Sequence, residues 1–168
     1  KIDNICAQLG LSSSDHLLEI GTGWGGLAIR AAEQYGCRVT TTTISDEQFD
    51  YVESLISERG LQNQVTLLKK DYRDLDGKYD KLVSVEMIEA VGLKFIPEFF
   101  RRCSLLLNSN GLMLVQAITM EEQRFQKAKN SVDFIQRYIF PGGALPTITG
   151  LATAATRNND LRPLEVKD

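Results

Sequence analysis

Hydrophobic residues along the chain follow two alternating spacings, which predict a series of β-α units. Short apolar or β-branched runs such as "CRVTTTTI" indicate strands, because branched side chains favour extended backbone. Five strands are predicted in this way, at 16–21, 37–44, 64–70, 79–87 and 112–118. A turn, "NSNG" at 108–111, leads into the last of them, and "LRPLEV" at 161–166 is expected to begin one more.

Apolar residues at helical spacing separate the strands. They predict helices at 2–10, 26–36, 46–60, 96–106, 125–139 (ended by "FPGG") and 148–157. Gly36 and Gly60 stand where two of these helices are expected to stop. Ser45 or Asp46 is a candidate cap for the third helix, and Pro97 is tolerated in the first turn of the fourth.

This alternation predicts an α/β fold with a doubly wound, mostly parallel sheet, because each parallel crossover needs a helix. The 168 residues suffice for one such domain, so a single domain over 1–168 is expected. In such sheets ligands bind beyond the carboxyl ends of the strands, where the strand order reverses. The glycine-rich segment "GTGWGG" at 21–26 follows the first strand, so it is predicted to lie at that place.

Composition and charge disfavour several functions. A net charge of −3, without a block of Lys or Arg, argues against a nucleic-acid partner. No apolar run approaches the roughly 20 residues that cross a bilayer, so membrane contact is expected only from the side. Cys6, Cys37 and Cys103 form no CxxC pair, which disfavours a disulfide framework or zinc site and favours a cytoplasmic location. His16, the only histidine, starts a predicted strand, where a structural role is expected.

The glycine loop matches two cofactor fingerprints. Gly21, Gly23 and Gly26 satisfy G-x-G-x-x-G, the dinucleotide pattern, in which a helix N-terminus faces a pyrophosphate. Glu19 together with Gly21, Gly23 and Gly25 also satisfies acidic-x-G-x-G-x-G, which is typical of S-adenosylmethionine-dependent methyltransferases. The loop alone leaves both ligands open.

The second strand favours the methyltransferase. A dinucleotide site needs a carboxylate at the tip of that strand to hold the ribose. The tip here is "TTTIS" at 41–45, and the first carboxylate, Asp46, falls on the following helix. Glu19, inside the first strand, is a candidate to orient the loop amides or to meet the ammonium of methionine.

Several further segments resemble one family. "TISDEQ" (43–48), "DYRDL" (71–75), "VEMIEAVG" (85–92), "QAIT" (116–119) and "IQRYIFPGGALP" (135–146) occur in the order and spacing found in cyclopropane-fatty-acid synthases and related lipid methyltransferases. The resemblance spans essentially the whole chain, and "YIFPGG" is its most distinctive part.

The resemblance implies a Rossmann-like methyltransferase fold and a set of residues around S-adenosylmethionine. The Gln48 amide would stand in for the absent ribose carboxylate. The implied contacts are Gly21, Thr22 and Gly23 for the methionine and ribose; Thr43, Ile44 and Gln48 for the ribose; Asp71, Tyr72 and Arg73 for the adenine; and Glu19, Gly25 and Val85 beside them.

The implied reaction adds the donor's methyl group to the alkene of a phospholipid acyl chain at a membrane surface. The sulfonium is already activated, so no metal is needed; the enzyme supplies alignment and excludes water. In the family a base then removes a proton from the new methyl and the ring closes, with a bicarbonate ion held for this step. A homodimer is compatible with the sequence.

Only part of the family's bicarbonate set is visible. Glu89 matches the family glutamate, and the amide of Ile118 matches the backbone contact. Gln116 replaces a histidine, Ala90 replaces another, and Glu86 stands where a glycine is usual. Gln116 can donate a hydrogen bond, but it cannot shuttle protons. Methyl transfer without ring closure, giving a methyl-branched or methylene product, is therefore a second hypothesis.

Three other hypotheses remain open. One is a methyltransferase acting on a small soluble molecule, and another is a nicotinamide-dependent oxidoreductase, which the ribose argument disfavours. The third is non-catalytic. The family's cysteine and tyrosine positions fall outside this sequence, as do its N-terminal cover and last strand, so the isolated 168 residues are expected to be inactive.

Overall fold

The structure, a computed structural model, describes residues 1–128, 144–157 and 159–167. The fifth predicted helix beyond 128 and the whole "YIFPGG" motif at 138–143 lie outside the described residues. The strands are β1 His16–Ile20, β2 Arg38–Thr43, β3 Val65–Lys69, β4 Tyr79–Val85 and β5 Leu107–Gln116. The helices are α1 Ile2–Leu9, α2 Gly26–Tyr35, α3 Asp46–Glu58, α4 Ile88–Val91, α5 Ile96–Leu106, α6 Glu122–Ala128 and α7 Ile148–Thr156, with 3₁₀ turns at Tyr72–Asp74 and Leu93–Phe95.

The five strands form one sheet in the order β3-β2-β1-β4-β5. β1 pairs in parallel with β2 and with β4, and β2 pairs in parallel with β3. The strand order reverses beside β1, so the loop that follows β1 lies at the switch point where α/β sheets bind ligands. The predicted α/β class and mostly parallel sheet are confirmed.

Local sequence signals account for several helix ends. Ser45 caps α3, since its hydroxyl accepts a hydrogen bond from the amide of Gln48 at 3.2 Å. Gly36 ends α2 in the left-handed conformation, with φ 66°, where a side chain would be strained. Pro97 stands at the second position of α5, where its missing amide hydrogen costs no helical bond.

The described chain groups into two compact units. Lys1–Val85 with Leu106–Val115 forms the first, and Glu86–Leu105 with Gln116–Asp168 forms the second. In the first unit, α1, α2 and α3 cover a buried core to which β1 contributes Leu17 and β2 contributes Val39. Burial of these apolar faces is the main stabilising term for the sheet and its helices.

Two local predictions are wrong. The "NSNG" segment is part of β5, which begins at Leu107, and the Asn108 side chain is held by the Asp80 carboxylate at 2.7 Å. Residues 161–166 form no strand: Leu164 is 81% exposed, and Pro163 lacks the amide hydrogen that a ladder needs. Within the described ranges, no helix combines the length and apolar character needed to cross a membrane.

Candidate functional site

The loop between β1 and α2 depends on three glycines with positive φ. Gly21, Gly23 and Gly25 have φ of 96°, 51° and 81°, a region that other residues rarely adopt. Gly26 is not among the positive-φ residues and is the first residue of α2. Gly21 and Gly23 belong to both patterns, and the third positive-φ residue, Gly25, belongs only to acidic-x-G-x-G-x-G.

Gly25 is also fixed by close packing. A Cβ atom at this position would lie 3.1 Å and 3.2 Å from the two methyl carbons of Val52 on α3. That spacing is tighter than normal carbon–carbon contact. The loop is thus held down on α3, and only glycine fits there without a shift.

Backbone bonds hold the start of the loop. The amides of Gly21 and Thr22 both donate to the carbonyl of Thr42, at 3.1 Å and 2.9 Å, and Gly25 donates to the carbonyl of Thr22. The sequence hypothesis that Glu19 orients the loop amides does not hold for Gly21 and Thr22, because the carbonyl of Thr42, at the end of β2, accepts from both amides. Thr42 was not predicted as a site residue.

Glu19 is a buried carboxyl with one short hydrogen bond. It is 3% exposed, and the hydroxyl of Thr41 donates to its Oε2 at 2.6 Å. Burial raises the pKa of Glu19 to about 8, and the Thr41 bond opposes this only in part. A ligand cation beside it would restore the charged form, so Glu19 suits the ammonium end of a ligand.

Thr41 was also missed as a site residue, although the sequence holds a signal for it. Glu19 and Thr41 are register partners in the parallel β1–β2 pair. A hydroxyl opposite a carboxyl in neighbouring buried strands is a natural partner, because buried polar groups need hydrogen bonds. The threonines of β2 were used for strand propensity and for the ribose argument, and of them only Thr43 was named as a contact.

A cavity of about 260 Å³ opens at the carboxyl ends of β1 and β4. The Thr22 hydroxyl is buried without a hydrogen-bond partner among the described residues, as a polar ligand contact would require. The predicted residues that line the cavity are Glu19, Gly21, Thr22, Gly23 and Val85, beside Lys1, Ile2, Ile5, Gly26 and Leu27.

The end of β2 presents an amide and not a carboxylate. The Thr43 hydroxyl donates to Gln48 Oε1 at 2.7 Å, which leaves the amide hydrogens of Gln48 as donors. Asp46, the first acid after β2 in the sequence, is exposed and paired with Lys69. Ile44, between them, is 73% exposed and available to cover a ligand ring. The arrangement fits the predicted ribose contact and offers no dinucleotide-type carboxylate.

Asp71, Tyr72 and Arg73 form one cluster after β3. The Arg73 guanidinium binds both oxygens of Asp71 at 2.8 Å and lies 5.9 Å from the centre of the Tyr72 ring. This hydrogen bonding lowers the pKa of Asp71 below its ordinary value. The cluster presents an ionised carboxylate and an aromatic ring, which are suitable borders for a heteroaromatic base.

The predicted catalytic residues Glu89, Gln116 and Ile118 all belong to the second unit. The amide of Ile118 donates to Glu89 Oε1 at 2.5 Å, and the Glu86 amide donates to the carbonyl of Gln116 at 2.8 Å. Glu89 Oε2 and Gln116 Oε1 are buried, and neither has a hydrogen-bond partner among the described residues. The structure therefore brings Glu89 and Ile118 into contact and leaves two buried acceptor oxygens.

Glu86 has a strained backbone. Its φ is 50°, and it is the only non-glycine residue with positive φ in the part of the chain described. This conformation is higher in energy for L-residues, because Cβ crowds the following carbonyl oxygen. The strain explains why glycine suits this position.

His16 and the cysteines lie outside this chemistry. His16 Nε2 and the Thr40 hydroxyl oxygen are 2.8 Å apart, and Arg38 donates to His16 Nδ1 at 3.0 Å. The three cysteines are buried and unpaired, and burial raises their pKa values. Both arrangements agree with the structural roles expected from the sequence.

Comparison with known proteins identifies the family. A model of the mycolic acid cyclopropane synthetase family matches residues 1–167. The tuberculostearic acid methyltransferase UfaA1 of Mycobacterium tuberculosis is 40% identical over 162 residues, which are 96% of this chain and 38% of that protein. The cyclopropane-fatty-acyl-phospholipid synthase of Escherichia coli K12 is 37% identical over 156 residues, 92% of this chain and 38% of that protein.

A solved structure supports the same assignment. The mycolic acid cyclopropane synthase CmaA1, complexed with SAH and CTAB, aligns with a TM-score of 0.83 and 29% identity, over 94% of this chain and 58% of that one. The chain spans about two fifths of the length of the curated relatives it matches, 38% for both named above. The match over 1–167 confirms the resemblance inferred from the motifs, and the chain belongs to the mycolic acid cyclopropane synthetase family of S-adenosylmethionine-dependent methyltransferases.

Proposed function

We propose that the intact protein transfers a methyl group from S-adenosylmethionine to the double bond of an unsaturated fatty-acyl phospholipid, at the cytoplasmic surface of a membrane. The observation that carries the proposal is the buried Glu19 carboxyl beside three left-handed glycines at the end of β1, in a chain whose family match covers 1–167. When bound, the cofactor supplies an electrophilic methyl on a sulfonium.

The chain's own residues fit this cofactor. Glu19 is proposed to meet its ammonium, and the unpartnered Thr22 hydroxyl its carboxylate or ribose. The Gln48 amide would donate to the ribose hydroxyls, and the Asp71–Arg73 cluster would border the adenine. Glu89 is proposed to receive the proton that the methylated acyl chain loses.

A second cavity supports a lipid substrate. It has a volume of about 320 Å³ and lies within the second unit, between α5, α6 and α7. Ile96, Phe125 and Ala154 contribute apolar surface to it, and Arg157 and Glu122 supply charge. An apolar space with a few charged groups suits an acyl chain with a polar head.

Purified intact protein, including any sequence that flanks these residues in its gene, tests the proposal. We expect S-adenosylhomocysteine to accumulate only with vesicles of unsaturated phospholipid, and the lipid to gain one CH₂ unit by mass spectrometry. Vesicles of saturated phospholipid with the same headgroup are the matched control. Turnover that is equal with both vesicles, or turnover on soluble acceptors without lipid, would overturn it.

Methyl transfer without ring closure is the second candidate. By the resemblance, Gln116 replaces the histidine of the family's bicarbonate set, and Ala90 replaces another histidine beside the glutamate. The relative with 40% identity is described as a tuberculostearic acid methyltransferase, and not as a cyclopropane synthase. NMR of the product decides between the two, because cyclopropane protons resonate apart from those of a methyl branch or a methylene.

A further inference from the structure

The cavity of the second unit has a buried apolar side and an exposed charged side. Ile96, Pro146 and Ala154 line it and are buried. Glu122 and Arg157 also line it, and both are exposed. An apolar interior with charges toward solvent has the polarity of a lipid, whose tail is apolar and whose headgroup is hydrated.

One face of α7 forms a wall of this cavity. The wall consists of four residues at helical spacing, Gly150, Thr153, Ala154 and Arg157. The first three are small and uncharged, so this face leaves room for a ligand. Arg157, the cap residue at the end of the helix, follows one turn after Ala154. The sequence of α7 therefore places a cation at one end of an uncharged wall.

The backbone connects this cavity to Glu89. The amide of Ala144 donates to the carbonyl of Glu89 at 3.0 Å, and Pro146, two residues further on, lines the cavity. Two residues of extended chain span at most about 7 Å. Leu93, a few residues after Glu89, lines the cavity as well. A ligand in this cavity therefore lies close to the backbone of the residue that is proposed to take the proton.

The charges on the cavity are opposite in sign. Among the described residues that line it, Glu122 and Arg157 are the charged ones. Both are described residues, and they form no ion pair with each other. The adjacent Glu121, in contrast, is paired with Arg124 at 3.3 Å. A ligand that carries an anion and a cation on one headgroup would complement both charges of the cavity.

We propose that this cavity selects a zwitterionic glycerophospholipid, with Arg157 binding the headgroup phosphate and Glu122 the headgroup ammonium. The inference rests on the proposed function, because it names the headgroup of that lipid substrate. A guanidinium binds phosphate oxygens through paired N–H donors, and a carboxylate accepts from an ammonium. Phosphatidylethanolamine carries both groups, whereas phosphatidylglycerol carries the phosphate without the ammonium. Arg157 is therefore expected to act on both lipids, and Glu122 to distinguish them.

A competition between these two lipids tests the inference on the intact protein. Equal amounts of the dioleoyl forms are presented in micelles of a neutral detergent, and mass spectrometry gives the ratio of methylated products. This ratio reports the ratio of the two kcat/KM values, and it does not depend on the fraction of enzyme that is folded. We expect the wild type to favour the ethanolamine lipid about two- to fivefold, the range for exposed ion pairs.

Variants of the two charged residues should change different quantities. Glu122→Gln should make the two products equal, and Glu122→Lys should invert the preference in favour of the glycerol lipid. Arg157→Gln should lower turnover on both lipids about two- to fivefold and leave their ratio unchanged. Glu121→Gln is the matched control, because it changes the net charge as Glu122→Gln does but removes only the partner of Arg124. It should keep the wild-type ratio.

Equal products with the wild type, or a ratio that Glu121→Gln and Glu122→Gln change alike, would overturn the inference. Short-chain dihexanoyl forms of the two lipids give a second measurement, since calorimetry reports their affinity without turnover. We expect the same order of preference there, and equal affinities would also overturn the inference. If no dioleoyl lipid is methylated, the proposed function fails, and the calorimetric preference still decides the headgroup inference by itself.

Discussion

In the glycine loop the backbone amides of Gly21 and Thr22 are paired with one carbonyl of β2, and three positive-φ glycines set the course of the chain. At Glu89 two side-chain oxygens, Glu89 Oε2 and Gln116 Oε1, are buried without a hydrogen-bond partner among the described residues, and the nearby Glu86 has a positive φ without being glycine. The loop is therefore fixed by backbone bonds and glycine conformations, with the Thr22 hydroxyl as its unsatisfied group, whereas at Glu89 and Gln116 it is side-chain acceptor oxygens that lack a partner among the described residues.

Glu89→Gln separates the two regions most sharply. The amide can still accept from Ile118 but cannot take a proton, so we expect turnover to fall by about 10²–10⁴-fold. Affinity for S-adenosylhomocysteine, measured by calorimetry, should not change. Glu98→Gln, which affects only an exposed ion pair with Arg101, is the control. Retained turnover in Glu89→Gln would remove Glu89 from the chemistry.

Gly25→Ala tests the loop itself. Its methyl would lie 3.1 Å from Val52 on a backbone with φ 81°, so we expect a cost of about 1–3 kcal/mol and at least about tenfold weaker binding of S-adenosylhomocysteine. Gly60→Ala has a similar φ, 66°, with no atom within 4 Å of the new carbon. It should lower the melting temperature without changing affinity. Equal affinity in both variants would show that the loop is not fixed as described.

Glu19→Gln tests whether the buried Glu19 carboxyl is protonated in the ligand-free protein. The pKa of Glu19 is raised from 4.5 to about 8, so the folded protein keeps this proton over a range where the unfolded chain has lost it. Its stabilising contribution is complete below about pH 4.5 and is lost as the pH rises through about 8. In that window the free energy of unfolding declines by up to about 1.4 kcal/mol per pH unit.

Glutamine keeps the acceptor for Thr41 and removes this dependence. Denaturant unfolding across the window should therefore show a flatter profile for Glu19→Gln than for the wild type or for Glu53→Gln, an exposed control on α3. Calorimetry in buffers of different ionisation enthalpy should show proton release when S-adenosylhomocysteine binds near neutral pH. Equal slopes would mean that the pKa of Glu19 is not raised in the folded protein, and no proton release would mean that Glu19 does not meet the ammonium.

The fold was predictable because its signals are local. The β-branched run of β2, the cap at Ser45 and the stop at Gly36 each act within a few residues. The start of β5 was not predictable, since the strand continues through "NSNG" and Asn108 is bound to Asp80, a residue distant in sequence. At this segment tertiary contacts override the local preference of Asn, Ser and Gly for a turn.

The candidate site divides in the same way. Glycine spacing indicated Gly21, Gly23 and Gly25, because glycine is the residue that readily adopts the positive φ this loop requires. The roles of Thr41 and Thr42 depend on the register of β1 against β2, which one sequence does not state. For Glu86 the sequence showed that it replaces the usual glycine, and the structure adds that its backbone has a positive φ of 50°.

Glu86→Gly tests that cost, and we expect the smallest effect here. An L-residue at φ 50° is strained by about 1–2 kcal/mol, and glycine returns about 0.5–1 kcal/mol of this through the entropy of the unfolded chain. The net gain in the free energy of unfolding is thus up to about 1 kcal/mol, visible as a higher melting temperature. Glu86→Ala is the control, since it removes the charge and keeps the strain. If alanine stabilises as much as glycine, the Glu86 carboxylate and not its positive φ lowers the stability at this position.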